Sequence, residues 1–431
     1  MFQTFIKQLN EFSKIDFGNY FTFRAIKLGR IDFILSILVA LCAIIFYMFL
    51  IKFSENAAAA MSMSPNTWFQ SDGLRVFRDM TKFDADHYRD GVHPLFSIFS
   101  IPITNSISYI LNLSSLQSVN FYNAILFAIS SSILYIVVRS IGCNVLDSLM
   151  LVTLFVTSAA SIFWFTIPET YPLGCVSIIC CLLVLAKNPK RDCYFIGAGV
   201  LSLGVTVTNW SAALIASAAS RSPRRFVIIS IISLVLVACG SLVARAVFPH
   251  PGYPFFLLKG LLWEKEYVGH SYSGSAMDRL GGEFISPLIA PTLAQPTSTM
   301  LSFQATIPQT VLGGDLPYII ALGALLVILV AAVLEIIKHP DRFSISLCAI
   351  LSGQAILHLF YGEETFLYAL HFAPLLVVVC AHAFRTSANA VTRAAMIILI
   401  ISGTYNNVGR FFNAVSVPIE GADEILHRID S

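Results

Sequence analysis

Asp72, Asp79, Asp84, Asp86 and Asp90 lie within Asp72–His93, beside Arg75, Arg78, Lys82, Arg89, His87 and His93. A carboxylate at the rim of a cavity can take a proton from an attacking hydroxyl, which is general-base chemistry. Asp72 follows Ser71 ahead of an amphipathic stretch and is the residue placed for that work. An acid there can also cap the coming helix by accepting backbone N–H bonds, and local sequence leaves both roles open. Asp84, Asp86, His87 and Asp90 carry the oxygen and imidazole donors that suit a divalent cation. The same run equally describes a solvated loop paired with Lys82 and Arg89. A divalent metal therefore stands as an alternative, with no ligand set assigned.

A second carboxylate, Glu169, sits in Thr166-Ile167-Pro168-Glu169-Thr170-Tyr171-Pro172, a short turn between two apolar stretches. Acids beside membrane spans are costly unless they face water or a partner, so Glu169 joins Asp72 as a catalytic candidate. Its plainer role is to cap the helix starting near Thr170. Lys259, Lys265 and Arg279, with His250 and His270, are the cations of a later polar loop. Such groups could stabilise a departing phosphate, or be loop charge balanced by Glu264, Glu266, Asp278 and Glu283. Glu363-Glu364 open a late apolar helix on which Tyr368 and His371 share a face with Glu364; these three and His93 are candidate substrate-binding groups. No Walker loop, GxGxxG, GxSxG or HExxH is present, which argues against soluble nucleotide chemistry.

The elements that must position these residues are membrane helices. Of 431 residues 56% are apolar and 12% charged, with mean hydropathy +0.76, against about 25% charge in a soluble domain. The runs 33–51, 118–138, 147–165, 171–187, 226–248, 316–337, 344–361, 365–384 and 391–408 approach or exceed the ~20 residues that cross ~30 Å of hydrocarbon. They are apolar on all sides, unlike the alternating strands of a barrel. Residues 95–116, interrupted by Pro102 and Asn105, either cross or dip and return. Residues 193–220 read as two short spans meeting at Thr208-Asn209-Trp210. The expectation is an all-α polytopic membrane protein with about 11–12 transmembrane helices and juxtamembrane helices on its outer face. Gly73–Phe83 and Tyr253–Trp263 are the two interfacial candidates. No cleavable signal peptide is read at the start. The nine cysteines avoid both long polar loops, so no disulfide framework is expected. The net charge of +2 and absence of a basic block argue against a nucleic-acid partner.

Placing the N-terminus inside, with no net crossing at 95–116 and a split at Asn209, puts every basic short loop inside, including Arg139, Arg221, Arg385 and Arg393. The acidic loop, Glu169, Asn209, the 249–315 loop and Glu363-Glu364 then share one outer face.

The loop that opens on Asp72 and closes on His93-Pro94-Leu95-Phe96 resembles the polytopic GT-C glycosyltransferases of the protein-mannosyltransferase and lipid A aminoarabinose-transferase type. Arg139 at a helix end, Glu169 before an apolar helix and the glycine-containing Gly197–Trp210 stretch are similar to that family's order of motifs. The chain departs where Gly73 replaces a common second acid, where one proline of the closing motif is missing, where Asn209 stands for Lys, and where no Arg precedes Tyr368. The resemblance covers roughly residues 30–225 and implies a GT-C-like catalytic module at 33–225. A cytoplasmic segment, 1–32, would precede it and a C-terminal membrane region, 226–431, would follow.

It further implies transfer of a sugar from a polyprenyl-phosphate donor to a glycan, lipid or protein hydroxyl, with inversion, at the periplasmic face of a bacterial inner membrane. Asp72 would be the base, Glu169 an orienting acid, and His93, Asn209, Lys259, Lys265, Arg279, Glu364, Tyr368 and His371 would line the substrate site. Broken helices at 95–116 and 193–220 equally suit a transporter or flippase. A polysaccharide polymerase or ligase, or a docking subunit, are further alternatives.

Overall fold

A computed structural model describes residues 28–54, 57–64, 67–257, 276–297, 301–306, 314–362, 364–385 and 389–417. Helix carries about three quarters of it. Helix α1 spans Arg30–Ser54, and α2 (Ala57–Met63) and α3 (Gly73–Thr81) lie in the acidic loop. Next come α4 (Phe96–Leu111), α5 (Ser115–Ser140), α6 (Val145–Val156), α7 (Ala159–Trp164) and α8 (Tyr171–Lys187). Helices α9 (Cys193–Val205), α10 (Trp210–Ser220) and α11 (Pro223–Val247) follow, then α12 (Ala276–Phe284). The chain closes with α13 (Leu316–Lys338), α14 (Arg342–Phe360), α15 (Ala369–Ala381) and α16 (Ala390–Val415). Two small pairings link loops: Asp86–His87 runs parallel to His250–Pro251, and Thr292–Ala294 antiparallel to Gln304–Thr306.

Six helical segments among the described residues are long and apolar enough to cross a membrane: 30–54, 115–140, 223–247, 316–338, 342–360 and 365–384. Four more apolar helices are shorter. The protein is an all-α membrane protein. Outward apolar side chains on α1, α11 and α13, such as Phe33, Ile45, Ile231, Val243 and Val330, are exposed, as a lipid-facing surface requires, while α15 is buried throughout.

Several arginine–carboxylate pairs gather at one end of the bundle, while Arg410–Asp315 lies at the other end of the helix that carries Arg393. Arg139 meets Asp32 at 2.6 Å, Arg385 meets Asp341 at 2.5 Å, and Arg393 meets Asp147 at 3.0 Å. Arg385 also donates to the Ile141 carbonyl, which ties these turns together. Arg221 bonds Asp192 at 2.7 Å and Asn188 at 2.9 Å, so α9 and α10 form a hairpin whose outer ends return to this basic end. The split expected near Asn209 is present as a 3-10 turn at Val207–Asn209. Helix α5 descends to Arg139 from the opposite end, and Leu95 is bonded to Gly204 at the far tip of α9. Both ends of α4 therefore lie away from the basic end, and 95–116 makes no net traverse.

The closing motif of the acidic loop docks on the broken hairpin. The Leu95 amide donates to the Gly204 carbonyl at 2.7 Å, the Val207 amide to the Val92 carbonyl at 3.1 Å, and His93 Nδ1 bonds the Val205 carbonyl at 2.8 Å. Leu95 is wedged against two helices that offer no side chain: a Cβ on Gly204 would lie 2.8 Å from Leu95 Cδ1, and one on Gly240 2.5 Å from Cδ2. Gly204→Ala is expected to destabilise the protein by about 1–3 kcal/mol through overpacking, read as a lowered melting temperature of the purified protein.

Helix α3 corrects one expectation. Val76, Phe77 and Met80 recur at helical spacing as anticipated, but they are buried inside the protein instead of facing lipid. The helix lies on α4, where Thr104 donates to the Met80 carbonyl. Phe83, beyond its end, is exposed. The rest of the second interfacial candidate, beyond Leu257, lies outside the described residues.

Candidate active site

Asp72 is placed by a turn that aromatic packing enforces. Phe69 and Gln70 have φ of 47° and 57°, a left-handed conformation unfavourable for side chains of this size. Phe69 is ringed by Trp68, Phe163, Trp164, Phe303 and Phe366 at centroid distances of 5.0–6.0 Å. The Gln70 amide donates to Ser302 Oγ at 2.9 Å and the Phe303 amide to the Thr67 carbonyl at 2.8 Å. The packed core thus supports a strained backbone immediately before the candidate base.

The Asp72 amide donates to Glu169 Oε1 at 3.0 Å, and Glu169 Oε2 accepts from the Thr170 amide at 2.9 Å. The two acids, distant in sequence, therefore share one site. The Asp72 side chain makes no capping bond to α3. It pairs with Arg75 at 3.1 Å and is 49% exposed, whereas Glu169 is 4% exposed. Arg75 continues to Asp79 at 2.8 Å, and Asp79 to His87 Nδ1 at 3.1 Å. Burial opposes the charge on Arg75, but Asp72, Asp79 and Glu169 together raise its pKa.

Burial, and then the neighbouring Asp72 carboxylate, raise the pKa of Glu169 from 4.5 to about 7, against the pull of Arg75. The folded state favours the protonated acid, so this contribution to stability is complete below pH 4.5 and is lost as pH rises through about 7. Its size is about 3 kcal/mol. Between pH 5 and 8 the melting temperature of the wild-type protein is expected to fall relative to that of Glu169→Gln. Asp90 and Glu364, both raised to about 7, and Glu283, raised to about 8, all mainly by burial, shift stability in the same direction, while His93, lowered to about 3, opposes them below about pH 6.5; comparison with the variant isolates Glu169.

Beyond Glu169 lies an aromatic wall. Tyr171 meets Tyr368 edge-on at 6.0 Å and His371 at 5.5 Å. His358, on α14, stacks on Tyr368 at 4.0 Å. Of the expected substrate residues, Tyr368 and His371 thus stand beside the acids. His93 lies nearby with its pKa lowered to about 3 by burial and then by Arg89 and Arg75, and its Nδ1 is held by the backbone. Asn209 is fully buried; its amide bonds the Gly174 carbonyl and Ser177 Oγ, both at 3.3 Å. Glu364 is buried with both oxygens on backbone amides, Ala305 at 3.1 Å and Phe366 at 3.0 Å, so it ties a loop to the start of the last buried helix. Arg279 is buried on α12 and donates to the Leu359 carbonyl at 2.7 Å. Lys259, Lys265, His270 and Glu363 lie outside the described residues.

The run Asp84, Asp86, His87 and Asp90 does not converge. Asp84 and Asp86 are exposed while His87 and Asp90 are buried. Among the described residues no group of three or more His, Cys, Asp or Glu side chains is arranged to hold a metal ion. Nothing local in the sequence singles out Arg75, which bridges Asp72 and Asp79. For His358, which stacks on Tyr368, a lone imidazole within an apolar span is the only local signal. No family model, curated protein or solved structure matches this chain.

Proposed function

We propose that this chain is a GT-C-type membrane glycosyltransferase that moves a sugar from a polyprenyl-phosphate donor to an acceptor hydroxyl. The observation that carries the reading is the bond between the Asp72 amide and the Glu169 carboxylate. It joins the acid that opens the loop to the acid of the turn before α8, the two carboxylates the family resemblance singles out. Asp72, half-exposed, is the group free to meet an acceptor. Glu169, held by two backbone amides, fixes the Asp72 backbone and presents a carboxyl group that titrates near neutrality.

In this reading Asp72 accepts the proton of the acceptor hydroxyl as that oxygen attacks the anomeric carbon. The C–O bond to phosphate breaks on the opposite side, and the polyprenyl phosphate leaves with the bonding pair. One displacement inverts the anomeric centre. Arg75, already bridging Asp72 and Asp79, fixes the carboxylate and supplies positive charge at the rim. Tyr368, His371 and His93 line the substrate side. With the basic end in the cytoplasm, the site opens at the periplasmic face of a bacterial inner membrane. The test is the anomeric configuration of the product, followed by NMR with a donor of known configuration. Inversion supports single displacement; retention sinks it.

The hairpin broken at Val207–Asn209 is the observation favouring a transporter. Its polar turn, however, is filled by Leu95 and by the bonds of Asn209. Substrate uptake without sugar release would restore that reading.

A further inference from the structure

His371 is 2% exposed, and neither ring nitrogen has a hydrogen-bond partner among the described residues. Buried polar groups are almost always bonded, and an unpaired one leaves its desolvation uncompensated. The site accommodates the ring deliberately: a Cβ on Gly174 would stand 2.7 Å from His371 Nε2, so only glycine lets the imidazole lie there. Above it, Tyr171, Tyr361 and Tyr368 are only partly buried, with Tyr368 6.0 Å from each of the other two tyrosine rings. Tyr368 is backed by the stacked His358 at 4.0 Å, 24° between planes. The result is a partly open aromatic wall over a buried, unsatisfied imidazole. Tyr171 follows Glu169 by two residues.

Such a wall offers apolar ring faces and edges, with the imidazoles of His371 and His358, unpartnered among the described residues, sheltered behind them. No ion pair among the described residues involves His358 or His371. A phosphate or carboxylate would look for cations, and those stand on the loop side, at Arg75. A polyprenyl chain would leave the imidazole unsatisfied. A ligand with an apolar C–H face and neutral hydroxyls satisfies both requirements.

We propose that Tyr171, Tyr368 and His371 form a carbohydrate subsite that takes an uncharged sugar ring, stacked on tyrosine and hydrogen-bonded to the His371 imidazole. This deepens the glycosyltransferase reading and rests on it for the identity of the sugar as the transferred group.

The test is saturation-transfer difference NMR on the full-length protein in nanodiscs. The probes are methyl glucoside, methyl galactoside and methyl mannoside, compared with glucuronate and glucose 1-phosphate. At least one neutral glycoside is expected to receive saturation through its C–H face, more strongly than either anion. Tyr368→Leu is expected to weaken that binding about tenfold, and Gly174→Ala, which drives a methyl into His371, to weaken it similarly. His371→Leu retains packing volume and folds even where Tyr368→Leu does not; it too is expected to lose binding. Absence of glycoside binding, preference for the anions, or unchanged binding in both His371→Leu and Gly174→Ala would overturn the subsite. Donor turnover, followed in parallel on wild type, separates the two claims. Turnover without glycoside binding removes the subsite alone, and glycoside binding that fails in His371→Leu without turnover removes the transferase alone.

Discussion

Asp72→Asn is expected to lower the rate of sugar transfer by about 10²–10⁴-fold, the usual contribution of a positioned general base, with little effect on folding. The structural argument is specific to this residue. An aspartate before a helix ordinarily caps it, and removing such a cap costs about 1 kcal/mol. Here the side chain makes no capping bond to α3; its partner is Arg75, and although the Arg75 side chain is only 15% exposed, Asp72 itself is 49% exposed, so its substitution leaves no cavity and no buried unpaired carboxylate. Arg75 also has Asp79 at 2.8 Å, a partner the substitution does not remove. Initial rates of donor turnover and thermal melting, measured on the same preparation, check the expectation. A large drop in melting temperature accompanying the lost rate would assign Asp72 a structural role instead. The variant carries a second signature. Asp72 helps burial raise Glu169, so removing its charge is expected to move the Glu169 titration to lower pH.

Gly73→Ala is the structural counterpart. A Cβ at this position would lie 2.7 Å from the Ser62 carbonyl carbon and 2.8 Å from Ser62 Oγ, and would collide with the Ser62 carbonyl oxygen. Most of that obstacle is backbone in α2, which is buried along most of its length, so it cannot turn aside as a flexible side chain can. The variant must push α3 away from α2, and α3 begins one residue after Asp72. Destabilisation by about 1–3 kcal/mol or more is expected from the overpacking, together with loss of activity, because the Asp72 amide no longer meets Glu169. Melting temperature and turnover are expected to fall together, in contrast to Asp72→Asn. A fully active, stable Gly73→Ala protein would show that the close α2–α3 approach does not position the site. The same crowding explains why no second acid follows Asp72: there is no room for any side chain.

Much of the frame was legible in the sequence because membrane helices announce themselves by length and apolarity, and one end of the bundle by the arginines of its short loops. Arg139, Arg221, Arg385 and Arg393 gather with carboxylates at one end, as their placement in short loops implied. The hairpin break at Asn209 was legible because a polar residue interrupts a run too long for one span. The α3 apolar face was read correctly by period but assigned to lipid. Period reports that a face is buried and is silent about what buries it, and here Val76, Phe77 and Met80 pack against protein. The pairing of Asp72 with Glu169 could be anticipated only as a shared face, since a bond between residues 97 apart depends on tertiary packing. His358 escaped notice for the same reason. Glu364 and Asn209 were chosen for their polarity within apolar surroundings. Their partners proved to be backbone groups and neighbouring helices, the ordinary way a buried polar side chain is satisfied.

The measurement that bears most directly on the central claim is release of free polyprenyl phosphate by the purified protein in nanodiscs, from a panel of polyprenyl-phosphate sugars with acceptor glycans and lipids supplied. The account predicts that wild type releases polyprenyl phosphate from at least one donor and that Asp72→Asn, equally folded, does so at least about 10²-fold more slowly. Equal release by both proteins, or no release by wild type from any donor, would contradict it.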